Sequence, residues 1–301
     1  MTEAKFAITG NQIVTPEAII SGHLVVEGDK ILSLSPGPPP GGLETIDAGE
    51  NLVAPGFIDL HIHGTGGWDT STRQSTLNMA KILADNGVTA FYPTPATTEM
   101  ELFLSHLRGV KEAFSAQGSG AKDTGADILG MHLEGPFLNR ARKGAMPEEY
   151  LLDPDWEILD RIEAQAPGLI KRLTVAPELP RGLEFVAELR RRGYLVAGGH
   201  TAATAEETLA GIEAGITIAN HLYNAMTGLH HRDPGAVGAF LTSDQVVCEI
   251  IADGIHVHPL AIEVALRCKG PANLYLISDA IMASGLPAGQ YEFLNRRVTI
   301  D

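Results

Sequence analysis

From residue 57 onward the chain alternates short apolar runs with amphipathic stretches, and this rhythm restricts the fold more than any other feature of the sequence. The apolar runs are 57–62, 88–92, 128–133, 170–176, 194–198, 216–219, 246–252 and 274–278. Helical spacing of apolar residues lies between most of them, over 76–86, 100–116, 156–166, 183–192, 205–214 and 259–269. Strands connected through helices run parallel, and apolar strands of this kind are covered by those helices. At 301 residues, closure into a (β/α)8 barrel is the preferred reading. A doubly wound open sheet is the alternative, but no glycine-rich dinucleotide fingerprint follows the first strand. No internal repeat is visible.

Before residue 54 the pattern differs. Segments 5–9, 23–27 and 30–34 read as strands, and Gly28-Asp29 suits a two-residue hairpin turn. The run Ser35-Pro36-Gly37-Pro38-Pro39-Pro40-Gly41-Gly42 reads as a surface loop, and strand character resumes near Thr45 and Leu52. The expected division is a small β domain at 1–53, a partial β-sandwich, and a barrel at 54–301. The β segment alone is too small for a strong core and is expected to pack against something else. After the eighth run only a hairpin-like tail, 291–301, is expected, where a complete barrel has a further helix. The chain therefore reads as a short form, a fragment, or a barrel closed in another way.

Charge narrows the function. Lys and Arg total 22 against 37 Asp and Glu, a net charge of −15. General nucleic-acid binding needs basic surface to displace counterions, so a chain this acidic is a poor candidate for it. A local cationic pocket for a phosphorylated small molecule is not. The two cysteines, Cys248 and Cys268, supply neither a disulfide framework nor a four-thiolate metal site. The opening residues lack the cationic and apolar regions of a secretory signal, and no apolar run approaches the ~18–20 residues of a membrane span. The expectation is a reduced, cytoplasmic protein with no membrane or nucleic-acid partner.

Active sites of such barrels lie at the C-terminal ends of the strands, and those ends carry a non-random set of residues. The first ends in Asp59-Leu60-His61-Ile62-His63-Gly64, and strand alternation puts His61 and His63 on one face. The third ends in His132-Leu133-Glu134-Gly135-Pro136, the fifth in Gly198-Gly199-His200-Thr201, the sixth in Asn220-His221-Leu222-Tyr223-Asn224, and the eighth in Ser278-Asp279-Ala280. Four histidines and two carboxylates thus converge on one rim. His and carboxylate are the ligands of hydrolytic zinc sites, where one position stays open for water. A pair of metals about 3.5–4 Å apart needs a bridging ligand, a role a carboxylate such as Glu134 can fill. Any one of these residues alone reads as a cap or a satisfied buried polar group; the conjunction carries the inference. His23, His106 and His230 read as solvated surface, His132 as pointing away from Glu134 into packing, and His258 as a helix-start residue.

The segments Ala54-Pro55-Gly56-Phe57-Ile58-Asp59-Leu60-His61-Ile62-His63-Gly64, His132-Leu133-Glu134-Gly135-Pro136-Phe137, Gly199-His200-Thr201 and Ser278-Asp279 resemble the amidohydrolase superfamily. His221-Leu222-Tyr223-Asn224-Ala225-Met226, His231-Arg232-Asp233-Pro234-Gly235 and Ile251-Ala252-Asp253-Gly254-Ile255-His256 narrow the resemblance to the N-acetylglucosamine-6-phosphate deacetylases. The resemblance implies two divalent metal ions, zinc or ferrous iron. His61, His63, Glu134 and Asp279 would hold one; Glu134, His200 and His221 would hold the second. Asp279 would be the catalytic acid–base. Ala145, Asn224, Ala225, Arg232, Asp253, Gly254, Ile255 and His256 would line the site of a phosphorylated N-acetyl amino sugar, with Arg232 on the phosphate and His256 reaching substrate across a homodimer interface. The implied reaction is hydrolysis of the N-acetyl amide to acetate and the amino-sugar phosphate, without an organic cofactor.

Two features depart from the family pattern. Met146, in Lys143-Gly144-Ala145-Met146, stands where relatives commonly carry His or an amide, and a thioether cannot donate a hydrogen bond. The chain also ends before the family's later sugar-enclosing loop, so the C-terminal part of the family fold is expected to be missing. The alternatives are an amidohydrolase acting on another N-acetylated sugar phosphate or a cyclic amide, and a truncated, inactive metal-binding barrel.

Overall fold

The structure, a computed structural model, describes residues 4–119, 125–294 and 296–300. The chain divides into two compact units, Met1–Phe57 and Ile58–Asp301. In the first, β1 (Lys5–Val14), β2 (Ile19–Glu27) and β3 (Lys30–Pro36) form an antiparallel meander. The segments β4 (Glu44–Asp47) and β5 (Leu52–Val53) return parallel to β1 on its other side. Gly28, between β2 and β3, has φ +60°, the left-handed conformation that a tight hairpin turn asks of glycine. His23 is not solvated as expected. It is buried, and its Nδ1 lies 2.9 Å from the Gly37 carbonyl of the Pro/Gly loop, so the ring gains a partner as the loop covers it.

The second unit opens with β6 (Phe57–Ile62), followed by the two-stranded ribbon of β7 (Gly64–Thr65) and β8 (Trp68–Asp69). Next come α1 (Arg73–Asp85), β9 (Val88–Pro93), α2 (Met100–Gly118), β10 (Asp127–Ile128) and β11 (Met131–Glu134). The alternation continues through α3 (Trp156–Glu163), β12 (Ile170–Val175), α4 (Gly182–Arg191), β13 (Leu195–Gly198), α5 (Ala205–Ala214) and β14 (Ile216–Ala219). It ends with α6 (Gly235–Thr242), β15 (Val247–Ile251), α7 (Pro259–Lys269) and β16 (Leu274–Ile277). A hairpin of β17 (Gly289–Phe293) and β18 (Arg296–Ile300) follows. This matches the expected tail, whose last residue, Asp301, lies outside the described residues.

Parallel strands run in chain order. The first sheet has the order β10-β9-β6, and the second runs from β11 to β16. A parallel bridge between Ala96 and Glu134 links their rims. At the other end Asp279 N–H donates to His61 O (2.9 Å), and His63 N–H donates to Ala280 O (2.8 Å), so the ends of β16 and β6 meet. The expected strand at 128–133 is two pieces. β10 pairs with β9 and β11 with β12, because the chain steps between sheets at Leu129-Gly130. Helix α6 is not legible from periodicity. All of Gly235–Leu241 is buried, so there is no polar face to set a period, and Pro234, Gly235 and Gly238 read as breakers. Helices α1, α3 and α5 start on recognisable caps: Thr72, Asp155 and the Thr204/Glu207 capping box. His258 caps α7 ahead of Pro259, as expected.

The strands have two unlike faces. Leu133, Leu173, Val175, Val196, Cys248 and Ile250 face the helices and pack with Leu107, Leu159, Phe185, Val186, Leu189 and Phe240 in the main core. Alternate positions on the opposite face are polar and also buried: His61, His132, Glu134, Arg172, Thr174 and Glu249. His132 therefore corrects the expectation. It sits two residues before Glu134, on the same face; its ring lies 4.5 Å from that of His61, and its Nε2 is 2.8 Å from Thr174 Oγ1.

Candidate metal centre

Six residues drawn from five strand ends meet at one point. His61 Nε2 lies 3.4 Å from Glu134 Oε1 and 3.3 Å from Asp279 Oδ1. His63 Nε2 lies 3.0 Å from Glu134 Oε2 and 3.3 Å from the same Asp279 oxygen. On the other side of Glu134, Oε1 is 3.1 Å from His200 Nε2 and 2.9 Å from His221 Nε2. The potential ligand atoms form two groups, each within 4.8 Å: His61, His63, Glu134 and Asp279; and Glu134, His200 and His221. Glu134 belongs to both.

Local structure aims these rings. Three of them have Nδ1 against a backbone carbonyl: His63 on Thr94 O (2.7 Å), His200 on Arg142 O (2.8 Å) and His221 on Asn224 O (3.1 Å). A carbonyl can only accept, so Nδ1 carries the hydrogen and the Nε2 lone pair is turned to the centre. The backbone bends sharply to present them. His200 (φ +46°), His221 (φ +29°), Ala225 (φ +51°) and Asp279 (φ +48°) are all left-handed non-glycine residues at strand ends, a concentration of strain of the kind found at functional sites. Neighbours leave no slack. A Cβ at Gly199 would lie 2.6 Å from Asn220 Cβ, and one at Gly144 would lie 3.0 Å from His200 Cε1.

The cluster fits a divalent cation. Both ring nitrogens of His61 are buried without a hydrogen-bond partner. His200 Nε2 and His221 Nε2 are 3.1 Å apart, and two facing lone pairs at that separation call for positive charge between them. The donor set, imidazole nitrogen with carboxylate oxygen, is that of hydrolytic metal sites. The charges of the cluster shift one another. Burial opposes charge on Glu134, but His61 and His200, with hydrogen bonds from His200 and His221, outweigh it and hold the carboxyl well below its usual range. Burial likewise lowers His63, yet hydrogen bonds to Asp279 and Glu134 raise it to about 9. His132 goes the other way: burial and the nearby Arg172 and His61 push it well below 6.5.

Residues beyond the expected set complete the surroundings. Asn220 Nδ2 donates to Glu134 Oε1 (2.8 Å) and to His221 Nε2 (2.9 Å). Asp59 accepts from His61 N–H (3.2 Å) and Ser278 N–H (3.3 Å), tying β6 to the end of β16. Arg172 forms a bidentate ion pair with Glu249 inside the strands. Burial opposes the charge on Glu249 and Arg172 more than offsets it, bringing the carboxyl to about 2. A signal existed for this pair: each is a lone charged residue on the polar face of an apolar parallel strand.

The residues expected at a sugar phosphate are less gathered. Asn224 and Ala225 lie directly behind His221, and Ala225 O accepts from Thr201 N–H (3.1 Å). Ala145 is exposed beside Gly144. Arg232 is exposed, its Nη1 2.9 Å from His231 Nε2. Asp253 closes its own turn, accepting from Ile255 N–H and His256 N–H and pairing with His256 Nδ1 at 2.7 Å; Gly254 has φ +78° and Ile255 is 87% exposed. Among the described residues, no hydrogen bond or ion pair joins Arg232 or His256 to the cluster. Met146 is buried with Leu138 and Leu151, so its thioether serves packing. A cavity of about 300 Å³ adjoins His63, lined also by His106, Tyr150, Met282 and Phe293, so His106 is half-buried rather than solvated. A larger open groove of about 540 Å³, beside Arg73, Arg108 and Lys111, shares no residue with the cluster.

With this fold and this donor set, the chain belongs to the amidohydrolase family, whose pattern matches residues 52–288, and members of that family are metal-dependent. Its relatives are more specific. It is 39% identical over 293 residues to N-acetylglucosamine-6-phosphate deacetylase of Bacillus subtilis (strain 168), covering 96% of this chain and 74% of the relative. It is 32% identical over 293 residues to N-acetylgalactosamine-6-phosphate deacetylase of Escherichia coli O157:H7, covering 97% and 75%. A Mycobacterium smegmatis N-acetyl-D-glucosamine-6-phosphate deacetylase variant, solved with N-acetyl-D-glucosamine-6-phosphate, superposes with a TM-score of 0.91 at 30% identity, covering 99% of this chain and 76% of its own. The chain thus spans about three quarters of the length of each of these relatives. Among the described residues, no helix is long and apolar enough to cross a membrane.

Proposed function

We propose that the chain is a metal-dependent deacetylase that hydrolyses N-acetylglucosamine 6-phosphate to acetate and glucosamine 6-phosphate in amino-sugar catabolism. One observation carries the reading: two groups of potential ligands share Glu134 at the strand ends of an amidohydrolase fold. His61, His63, Glu134 and Asp279 hold one divalent cation, and Glu134, His200 and His221 hold the other; zinc or ferrous iron suits this donor set. Residues 54–301 form the catalytic (β/α)8 barrel, and residues 1–53 a small β domain. The enzyme works in the cytoplasm as a homodimer.

Bound there, divalent cations supply Lewis acidity that activates water and polarises the acetyl carbonyl. The side chains do the rest. Asp279 is the open member of its group, with its side chain 21% exposed against 3% for Glu134. Its Oδ1, 3.3 Å from the Nε2 atoms of both His61 and His63, accepts a proton from the attacking water. As the new C–O bond forms and the C–N bond breaks, Asp279 returns that proton to the departing amine nitrogen. Arg232, with its planar fork, binds the phosphate. Asn224, Ala225 and Ala145 line the sugar, and the Asp253-Gly254-Ile255-His256 turn contributes across the dimer. The test is amine release from N-acetylglucosamine 6-phosphate and from its galacto epimer, with metal supplied. The expected result is metal-dependent turnover favouring the gluco epimer and falling about 10²–10⁴-fold in Asp279→Asn. Turnover that survives Asp279→Asn would remove the assigned mechanism.

A further inference from the structure

The buried face of the strands carries an ion pair whose geometry is unexplained by folding alone. Arg172 and Glu249 are 1% and 0% exposed, on β12 and β15. Both terminal nitrogens of Arg172 engage the two oxygens of Glu249. Replacing such a pair with apolar residues of similar volume is commonly neutral or stabilising, so stability is a weak reason for having it. Its neighbours supply a better one.

Arg172 Nη2 also donates to Asn220 Oδ1 at 2.6 Å. Because arginine can only donate, this contact fixes which end of the Asn220 amide is oxygen. Nδ2 is thereby turned to Glu134 Oε1, 2.8 Å away. On the other side, Glu249 Oε2 lies 3.9 Å from His61 Nδ1. The other three histidines of the cluster have a backbone carbonyl at 2.7–3.1 Å from Nδ1. His61 has none: neither of its ring nitrogens has a hydrogen-bond partner, and Glu249 stands where the carbonyl would be. The ring therefore has carboxylates at both edges, with Glu134 and Asp279 at Nε2 and Glu249 at Nδ1. The charge of Arg172 balances Glu249, so the third carboxylate adds no net negative charge beneath the centre.

We propose that Arg172, Glu249 and Asn220 form one positioning network that orients His61 from its Nδ1 edge and Glu134 from its Oε1 edge, setting the affinity of the centre for its cations. These are positioning residues; they act through His61 and Glu134. The inference rests on the reading of those two residues as ligands. Outer partners of this kind typically change metal affinity or activity about 10–100-fold.

The test measures zinc dissociation constants by chelator competition on the full chain, together with the melting temperature of the zinc-stripped protein. Glu249→Gln keeps the side-chain shape but strands Arg172, so it can lose stability. The double variant Arg172→Met/Glu249→Leu removes both charges at similar volume and is expected to melt at or above the wild-type temperature. Both are expected to bind zinc about 10–100-fold more weakly. A purely structural role predicts a shift in melting temperature without that loss of affinity. Wild-type zinc affinity in whichever of the two variants folds would overturn the proposal. Failure of the wild-type chain to bind zinc would instead overturn the metal-centre reading, and this inference with it.

Discussion

Loading the centre with metal should expel protons, and the structure says from where. A histidine must give up its Nε2 proton before that nitrogen can ligate. In protein stripped by a chelator, His63 is held at about 9, because hydrogen bonds to Asp279 and Glu134 outweigh the opposing effect of burial. At pH 7.5 a group of pKa 9 is about 97% protonated, so this ring alone releases about one proton. Burial also opposes charge on His61 and His200, yet Asp279 and Glu134 raise the first well above its usual value and Glu134 raises the second, so both add to the release. Glu134 and Asp279 are both shifted down and are already ionised; they contribute none. The expected release at pH 7.5 is therefore at least about one proton per chain, the His63 share. The sign follows from the direction of the shifts. The proton competes with metal below the raised pKa and ceases to compete above it. Affinity should thus climb with pH through neutrality, by about tenfold per pH unit for each proton displaced, and the His63 share should level off above about 9. Titration calorimetry with zinc, repeated in buffers of different ionisation enthalpy, reads the number directly. A release below about half a proton at pH 7.5 would refute the reasoning, because it would mean either that these rings are not ligands or that the carboxylates do not hold their protons.

Three further outcomes are expected. Arg232→Ala should leave folding intact, since the side chain is exposed, and should raise KM for the phosphorylated sugar about tenfold or more, the equivalent of one charged hydrogen bond; an equal rise for the unphosphorylated sugar removes the phosphate assignment. Burial pushes the Cys248 thiol up to about 12 while Cys268 is exposed, so a thiol reagent at pH 8 should label one cysteine in the native protein and both in denaturant; prompt double labelling would contradict the packing around β15. Met146→Ala should cost about 2 kcal/mol in urea unfolding, the low end for a buried methionine, because its buried cluster includes only Leu138 and Leu151 besides itself; a change below about 0.5 kcal/mol, the range usual for surface sites, would mean the side chain is not packed there.

The candidate ligand set stands out in the sequence because two independent regularities coincide in it. Strand spacing located the rims, and chemistry-bearing residues recurred at them: His61, His63, Glu134, His200, His221 and Asp279. Neither regularity depends on how strands pair. The same alternation corrects the expectation for His132, since two residues from Glu134 is the same face. Helix α6 was invisible for the opposite reason: burial all round erases the polar half of the pattern that periodicity detects. The Arg232 loop and the 253–256 turn are proposed on resemblance alone, because an exposed arginine and an Asx-type turn look the same whether or not a ligand binds there.

The interior pair, Arg172 with Glu249, shows why a second layer of the site escapes a linear reading. Each charge sits 77 residues from the other, on strands separated in the sheet by β13 and β14, and no local rule joins them. What joins them is the curvature of the sheet, which turns one face of every strand toward a common interior. On a flat sheet, a charge on β12 would meet its neighbours on β13, not a carboxylate on β15. Once the sheet curves, alternate positions of all the strands become neighbours, and the face that bears His61 and Glu134 must be filled with groups that can coexist with them. Apolar side chains would fill that volume at no loss of stability, but would put no charge at the His61 Nδ1 edge and nothing to orient the amide that donates to Glu134. A carboxylate, Glu249, faces the His61 edge at 3.9 Å, an amide, Asn220, donates to Glu134, and the Arg172 guanidinium holds both by donating to each. The polar interior is thus a consequence of placing the site at the mouth of a curved sheet, and the apolar face toward the helices, which does obey local pattern, is what made the rest of the fold readable.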